Sequence, residues 1–187
     1  VPGIQRRRVL QRRQTHIEPM SPLRTIRTQR LFLRPVSWQD LADLRRLKGS
    51  AASFGRMLGG VRTPGQVEAE LAEDMAFWAR RKIGIFSILE KGVFVGLTGF
   101  HERPDGRGIG LRFALFPHLQ GRGLAREAAG AALSYARTAG IHRVIAVASA
   151  DNLASQTVLR SIGMRQCEIF QRDGREMRVY EAVLDQK

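Results

Sequence analysis

Apolar positions along the chain change their period several times, and each change marks an element. From Arg30, "RLFLRP" alternates like a strand and stops at Pro35, which cannot donate to a ladder. "SWQD" then offers Ser37 as an N-cap with Asp40 three residues on, and Leu41, Leu44 and Leu47 follow at helical spacing. The glycine-rich stretch "SFGRMLGG" predicts a loop. Beyond it, Thr63, Pro64 and Gln66 compose a second helix start, and Val67, Leu71, Met75 and Trp78 form one stripe. Two β-branched and aromatic runs, "IGIFSIL" and "VFVGLTGF", joined by "EKG", predict a hairpin. "RPDGRG" predicts a turn and "IGLRFALF" another strand. In "HLQGRGLAREAAG" a glycine turn opens a helix with Leu124, Ala128, Ala132 and Tyr135 on one face and Gly140 as its stop. "HRVIAVAS" reads as a strand, "DNLASQTVLRSIG" as a helix closed by Gly163, and "MRQCEIFQ", "RDG" and "REMRVYEAVL" as a last hairpin. The predicted order is β-α-α-β-β-β-α-β-α-β-β. That is an α/β domain with a mixed, mostly antiparallel sheet between helices.

Composition bounds this picture without changing it. A chain of 187 residues, 43% hydrophobic, fits one domain with a sizeable core. No apolar run approaches the ~20 residues needed to span a bilayer, so no membrane partner is expected. The single cysteine, Cys167, excludes an internal disulfide and points to a reducing, cytoplasmic compartment. No His/Cys cluster has metal-ligand spacing, so no metal is expected.

Charge adds a second feature. The net charge of +14 attracts polyanions, so nucleic acid contact through a basic surface stays open. The first nineteen residues carry Arg6, Arg7, Arg8, Arg12 and Arg13 against one acid, Glu18. They read as a targeting segment, a nucleic-acid arm, or a flexible extension upstream of a start at Met20. We expect a basic extension over residues 1–27 and the folded domain over residues 28–187.

The glycines around Arg122 raise a chemical question, because glycine is a poor choice inside a helix. A strand, then "QGRGLA", then a helix makes an anion site, with free N–H groups and the positive end of the helix dipole together. No Lys-Ser/Thr pair follows the glycines, and no acid lies ~20 positions on, so this is neither a P-loop nor a dinucleotide fingerprint. An ordinary tight turn remains the plain alternative.

The pattern Gln120-x-x-Gly123-x-Ala125 resembles the acyl-CoA signature of the GNAT superfamily of N-acetyltransferases. "DNLASQTVLRSIGM" resembles that family's second landmark, and "TQRLFLRPVSWQDLADL" resembles the first strand and helix of its RimJ/RimL-like branch. The likeness covers roughly residues 28 to 184. It implies a GNAT fold, acetyl-CoA as co-substrate, and transfer of acetyl to a primary amine, such as the N-terminus of a ribosomal or other protein. A homodimer is also compatible with it. A small-molecule amine acceptor, a non-catalytic CoA-binding protein and a nucleic-acid-binding protein on the same fold are the alternatives.

The resemblance also implies roles. The N–H groups of Gln120, Gly121, Arg122, Gly123, Leu124 and Ala125 would cradle the pyrophosphate. Leu115 and Phe116 lie on the strand that splays to admit the pantetheine arm, and an N–H near Leu115 would polarise the thioester carbonyl. Asn152 would contact CoA or cap its helix. Many relatives have a tyrosine acid seven residues after that asparagine, where this chain has Leu159. Ser155 is then the candidate acid, or a helix-start hydrogen-bonding residue. Tyr180 could donate a proton from the last strand, or belong to the core. Relatives often carry a glutamate where Ile109 stands, so Glu102 is the candidate base, with solvated turn charge as its other reading. His101 beside it points to the opposite face.

Overall fold

The computed structural model describes residues 24–185. Eight strands form one sheet in the order β1-β2-β3-β4-β5-β6-β8-β7, and only the β5–β6 pair is parallel. The strands are β1 (Ile26–Arg27), β2 (Leu31–Pro35), β3 (Ile85–Glu90), β4 (Val93–Glu102), β5 (Ile109–Leu115), β6 (Arg143–Ser149), β7 (Arg165–Arg172) and β8 (Arg175–Val183). The helices are α1 (Leu41–Lys48), α2 (Ala51–Phe54), α3 (Pro64–Arg81), α4 (Leu124–Thr138) and α5 (Leu153–Ser161). The architecture is the mixed, mostly antiparallel sheet flanked by helices that the sequence predicts.

Two additions depart from the predicted order. Ile26 and Arg27 pair with Leu33 and Phe32, so the sheet takes in residues that the sequence reading assigned to the extension. The expected loop after Gly49 starts with the single turn of α2. The arginine-rich segment 1–19 lies outside the described residues.

Local signals set the helix starts. Thr63 Oγ1 accepts the Gln66 N–H at 3.3 Å, and Gln66 Oε1 accepts the Thr63 N–H at 2.9 Å. Asp40 accepts the Ser37 N–H at 3.0 Å, and it is also a buried hub. It takes two bonds from Arg34, at 2.6 and 2.8 Å, and one from Ser87 at 2.8 Å. Those three elements are thereby tied at one carboxylate.

Packing follows the stripes. Val67, Leu71, Phe77 and Trp78 of α3, and Leu124, Ala128 and Ala132 of α4, join a core that includes Ile85, Phe86, Leu97 and Phe100. Trp78 Nε1 donates to Ile85 O at 2.7 Å, which satisfies the indole as it is buried. The expected stripe position Met75 is only partly buried, whereas Asp74 is buried beside it.

Candidate active site

Strands β5 and β6 pair through Gly110 and Ile145, and beyond that point β6 does not follow β5. The gap opens on a cleft of about 860 Å³, within the range of small-molecule sites. Phe113, Ala114 and Leu115 form one wall. The segment from Gln120 to Arg126 closes one end, Asn152 and Ser155 the other, and Met57 and Arg56 after α2 lie across it.

The glycine turn is built as an anion cradle. Gly121 and Gly123 both have φ of 77°, a left-handed conformation that L side chains resist. Gly123 is the N-cap of α4 and makes no side-chain cap bond. The first helical N–H groups therefore lack capping partners and point out of the helix start. A Cβ on Gly121 would meet nothing within 4 Å, so the cradle is open space rather than a packed turn.

Backbone register then fixes a second donor. Phe116 N–H donates to Val95 O at 3.2 Å, toward β4. Successive residues of an antiparallel strand turn their amides to opposite sides. The N–H groups of Phe113 and Leu115 thus face the side where β6 has diverged. Leu115 O accepts Gln120 Nε2 at 3.4 Å, which leaves the Leu115 N–H as the donor at the gap.

The expected cofactor residues divide. Leu115, Gln120, Gly121, Gly123, Leu124, Ala125, Asn152 and Ser155 all line the cleft. Arg122 and Phe116 do not. Arg122 forms a two-bond pair with Glu90, at 2.7 and 2.9 Å, and so turns away from the cradle. Phe116 stacks with His118 and meets Phe94 edge-on, on the outer side of the turn. Arg126, at the third position of α4, does line the cleft at this end. Glu127 accepts bonds from Thr28 Oγ1, Arg30 N and Arg30 Nε, and so clamps the chain before β2 to α4.

The expected proton-transfer residues divide as well. Asn152 Oδ1 accepts the Ser155 N–H at 3.2 Å, a helix cap that also faces the cleft. Among the described residues the Ser155 hydroxyl makes no hydrogen bond, and Ser155 lines both this cleft and a smaller adjoining cavity. Tyr180, expected as a possible donor to the cleft, belongs to the core instead. It is fully buried, and its hydroxyl lies 3.3 Å from Gln156 Oε1 in the core. Glu102 is exposed and lines neither cavity, because the alternation along β4 turns it away.

The residue turned inward is His101. It pairs across to Gly110, whose missing side chain admits the imidazole; a Cβ there would sit 2.8 Å from the ring. Its Nδ1 is buried with no hydrogen-bond partner. Burial, then the charges of Arg112 and Arg103, push its pKa down to about 3. Asp74 beneath the sheet goes the other way, raised by burial to about 6.

These shifts predict a pH dependence of stability. The unfolded His101 takes up a proton near its ordinary 6.5 that the folded chain refuses until about 3. Stability is complete above the first value and falls by about 1.4 kcal/mol per pH unit as the pH drops through the window. Asp74 acts oppositely below its raised pKa, since the folded form binds the extra proton. His101→Gln is therefore expected to flatten the acid limb of stability measured by urea melts from pH 7 to 4. An unchanged slope would remove His101 as the source.

Among the described residues, no group of three or more His, Cys, Asp or Glu could hold a metal ion, and no helix is long and apolar enough to cross a membrane.

The wider comparison fits this geometry. A GNAT-family acetyltransferase from Bordetella pertussis superposes with a TM-score of 0.73 at 27% identity, over 84% of this chain and 98% of that one. An acetyltransferase from Agrobacterium tumefaciens gives 0.74 at 27% identity, over 84% and 93%. An acetyltransferase from Salmonella typhimurium that modifies the N-terminal serine of a 50S ribosomal protein shares the fold at 19% identity, with a TM-score of 0.72 over 84% and 97%. No curated protein sequence matches the chain. The family model for the acetyltransferase (GNAT) domain matches residues 30–165, most of the chain, and in keeping with the open β5–β6 gap and the glycine cradle the chain belongs to the GNAT acetyltransferases.

Proposed function

We propose that the chain transfers acetyl from acetyl-CoA to the α-amine of a protein or peptide N-terminus. The observation that carries this reading is the Leu115 N–H facing the cleft between the glycine cradle and Ser155. A phosphate chain seated on the α4 start would run along β5 toward that amide. The thioester carbonyl would then meet a preorganised donor where negative charge develops. The Ser155 hydroxyl would pass its proton to the departing thiolate and take back the one that the acetylated nitrogen loses.

Proton chemistry favours an α-amine. A neutral His101 with so low a pKa holds a proton weakly, so the reaction relies on an amine that arrives unprotonated. An α-amine has a pKa near 7.7 to 8.0 and a lysine side chain about 10.4, so a lysine needs about 3 to 4 kcal/mol more to lose its proton. Ribosomal protein N-termini are one such acceptor class, and a neighbour of the same fold modifies one.

The test is kcat/KM for peptides with free N-termini, N-terminally blocked lysine peptides and aminoglycosides. Free N-termini should lead. A clear preference for either of the others overturns the acceptor assignment, and no acetyl transfer to any amine overturns the catalytic one.

A further inference from the structure

Beside the cleft lies a second cavity of about 70 Å³, between the β5 segment at Leu111–Phe113 and the end of β6. It shares Arg56, Met57, Phe113, Asn152 and Ser155 with the main cleft. A compact group such as a carboxylate fits there. No aspartate or glutamate lines it, whereas Arg56, Arg103 and Arg112 do.

The three arginines are not equivalent. Arg103 is taken, with Nε and Nη2 on the Asp105 carboxylate at 2.5 to 3.2 Å. Arg112 lies in the middle of β5, opposite Gly99, on the same face as His101. Among the described residues it makes no hydrogen bond and no ion pair within 4 Å. Its nearest acids act only through space. Glu70 is committed to Lys48 at 2.7 Å and to Arg62 at 2.5 Å, and Asp74 makes no hydrogen bond to it. Arg56 sits exposed at the mouth shared by both cavities and has no hydrogen bond either.

Arg112 is partly buried, and a partly buried guanidinium with no hydrogen-bond partner is best complemented by a planar carboxylate in bidentate contact. We infer that the acceptor carries a carboxylate close to its reacting amine, seated in this cavity on Arg112 with Arg56 closing the mouth. The inference rests on the acetyltransferase reading of the main cleft. With the amine near Ser155, the shared wall puts the cavity a few bonds away, within reach of an aspartate or glutamate side chain at the acceptor's N-terminus. The α-carboxylate of a free amino acid offers the same chemistry from a second source.

The experiment measures kcat/KM within two isosteric pairs. The first is an Asp-leading peptide against its Asn-leading twin, and the second is free alanine against alaninamide. We expect the wild type to favour the carboxylate by at least tenfold in the first pair. A preference confined to the second pair would keep the site and assign it to amino acids. In the favoured pair, Arg112→Met should bring the ratio to about one, and Arg56→Ala should lower it partially. If the Met variant does not fold, Arg112→Lys, which keeps the charge but loses the fork, should still cut the ratio severalfold. Ratios near one in both pairs for an active wild type overturn the inference alone. So does a ratio that survives loss of the Arg112 fork. A wild type that acetylates no member of either pair overturns the acetyltransferase reading and the inference with it.

Discussion

Gly123→Glu is expected to lose acetyl-CoA binding by at least a hundredfold while the domain stays folded. Two effects act at one position. The glutamate carboxylate is placed at the mouth of the cradle, where the helix dipole and free N–H groups would otherwise hold phosphate. The side chain must also adopt the left-handed backbone at φ of 77°, which costs a non-glycine residue about 1 to 2 kcal/mol. Folding should survive, because a Cβ here meets only Arg30 Nη2, at 3.6 Å, and that arm can move. The readout is the thermal shift with ligand. In the wild type, acetyl-CoA at a hundredfold excess over its Kd adds about 2.7 kcal/mol. The variant should keep at most about 0.4 kcal/mol of this at the same concentration. A folded variant with wild-type affinity would move the phosphate site away from this turn. Arg122→Ala is the contrast, since its guanidinium is engaged by Glu90 and lies outside the cleft; it should change affinity far less.

What the sequence made legible was whatever depends on neighbours along the chain. The boxes at Ser37–Asp40 and Thr63–Gln66, the apolar stripes of α3 and α4, and the glycine turn all encode their structure within a few residues. The cleft lining at Gln120–Ala125, Asn152 and Ser155 was visible for the same reason. What stayed hidden depends on distant partners. β1 is two residues long and exists only through β2, and α2 is too short for a period. Arg122 is drawn off by Glu90, thirty-two positions earlier, and Tyr180 is turned inward by the β6–β8 register. His101 and Glu102 differ only in parity along one strand, and the choice between them needed the position of the cleft. A weaker signal did exist for two of the residues that emerged. Arg112 interrupts an apolar strand and Asp74 an apolar helix stripe, and charges at such inward-facing positions call for a reason.

Leu115→Pro is expected to lower kcat by about a hundred- to a thousandfold, the scale seen when a single oxyanion donor is removed. The argument isolates one atom. Leu115 N–H faces the gap left by β6, so proline at this position breaks no ladder bond within the sheet. Ala114 before it is already in a strand, the conformation that a residue preceding proline prefers. The Leu115 side chain is buried at 5% exposure, so the substitution also leaves a packing defect of about 2 to 5 kcal/mol. Leu115→Ala carries the same defect but keeps the N–H. Comparing the two at a temperature where both are folded therefore separates packing from catalysis. The proline variant should retain acetyl-CoA binding through the α4 start and lose turnover, whereas the alanine variant should lose stability and keep most of its kcat. Equal kcat values for the two would mean that the Leu115 amide takes no part in the reaction.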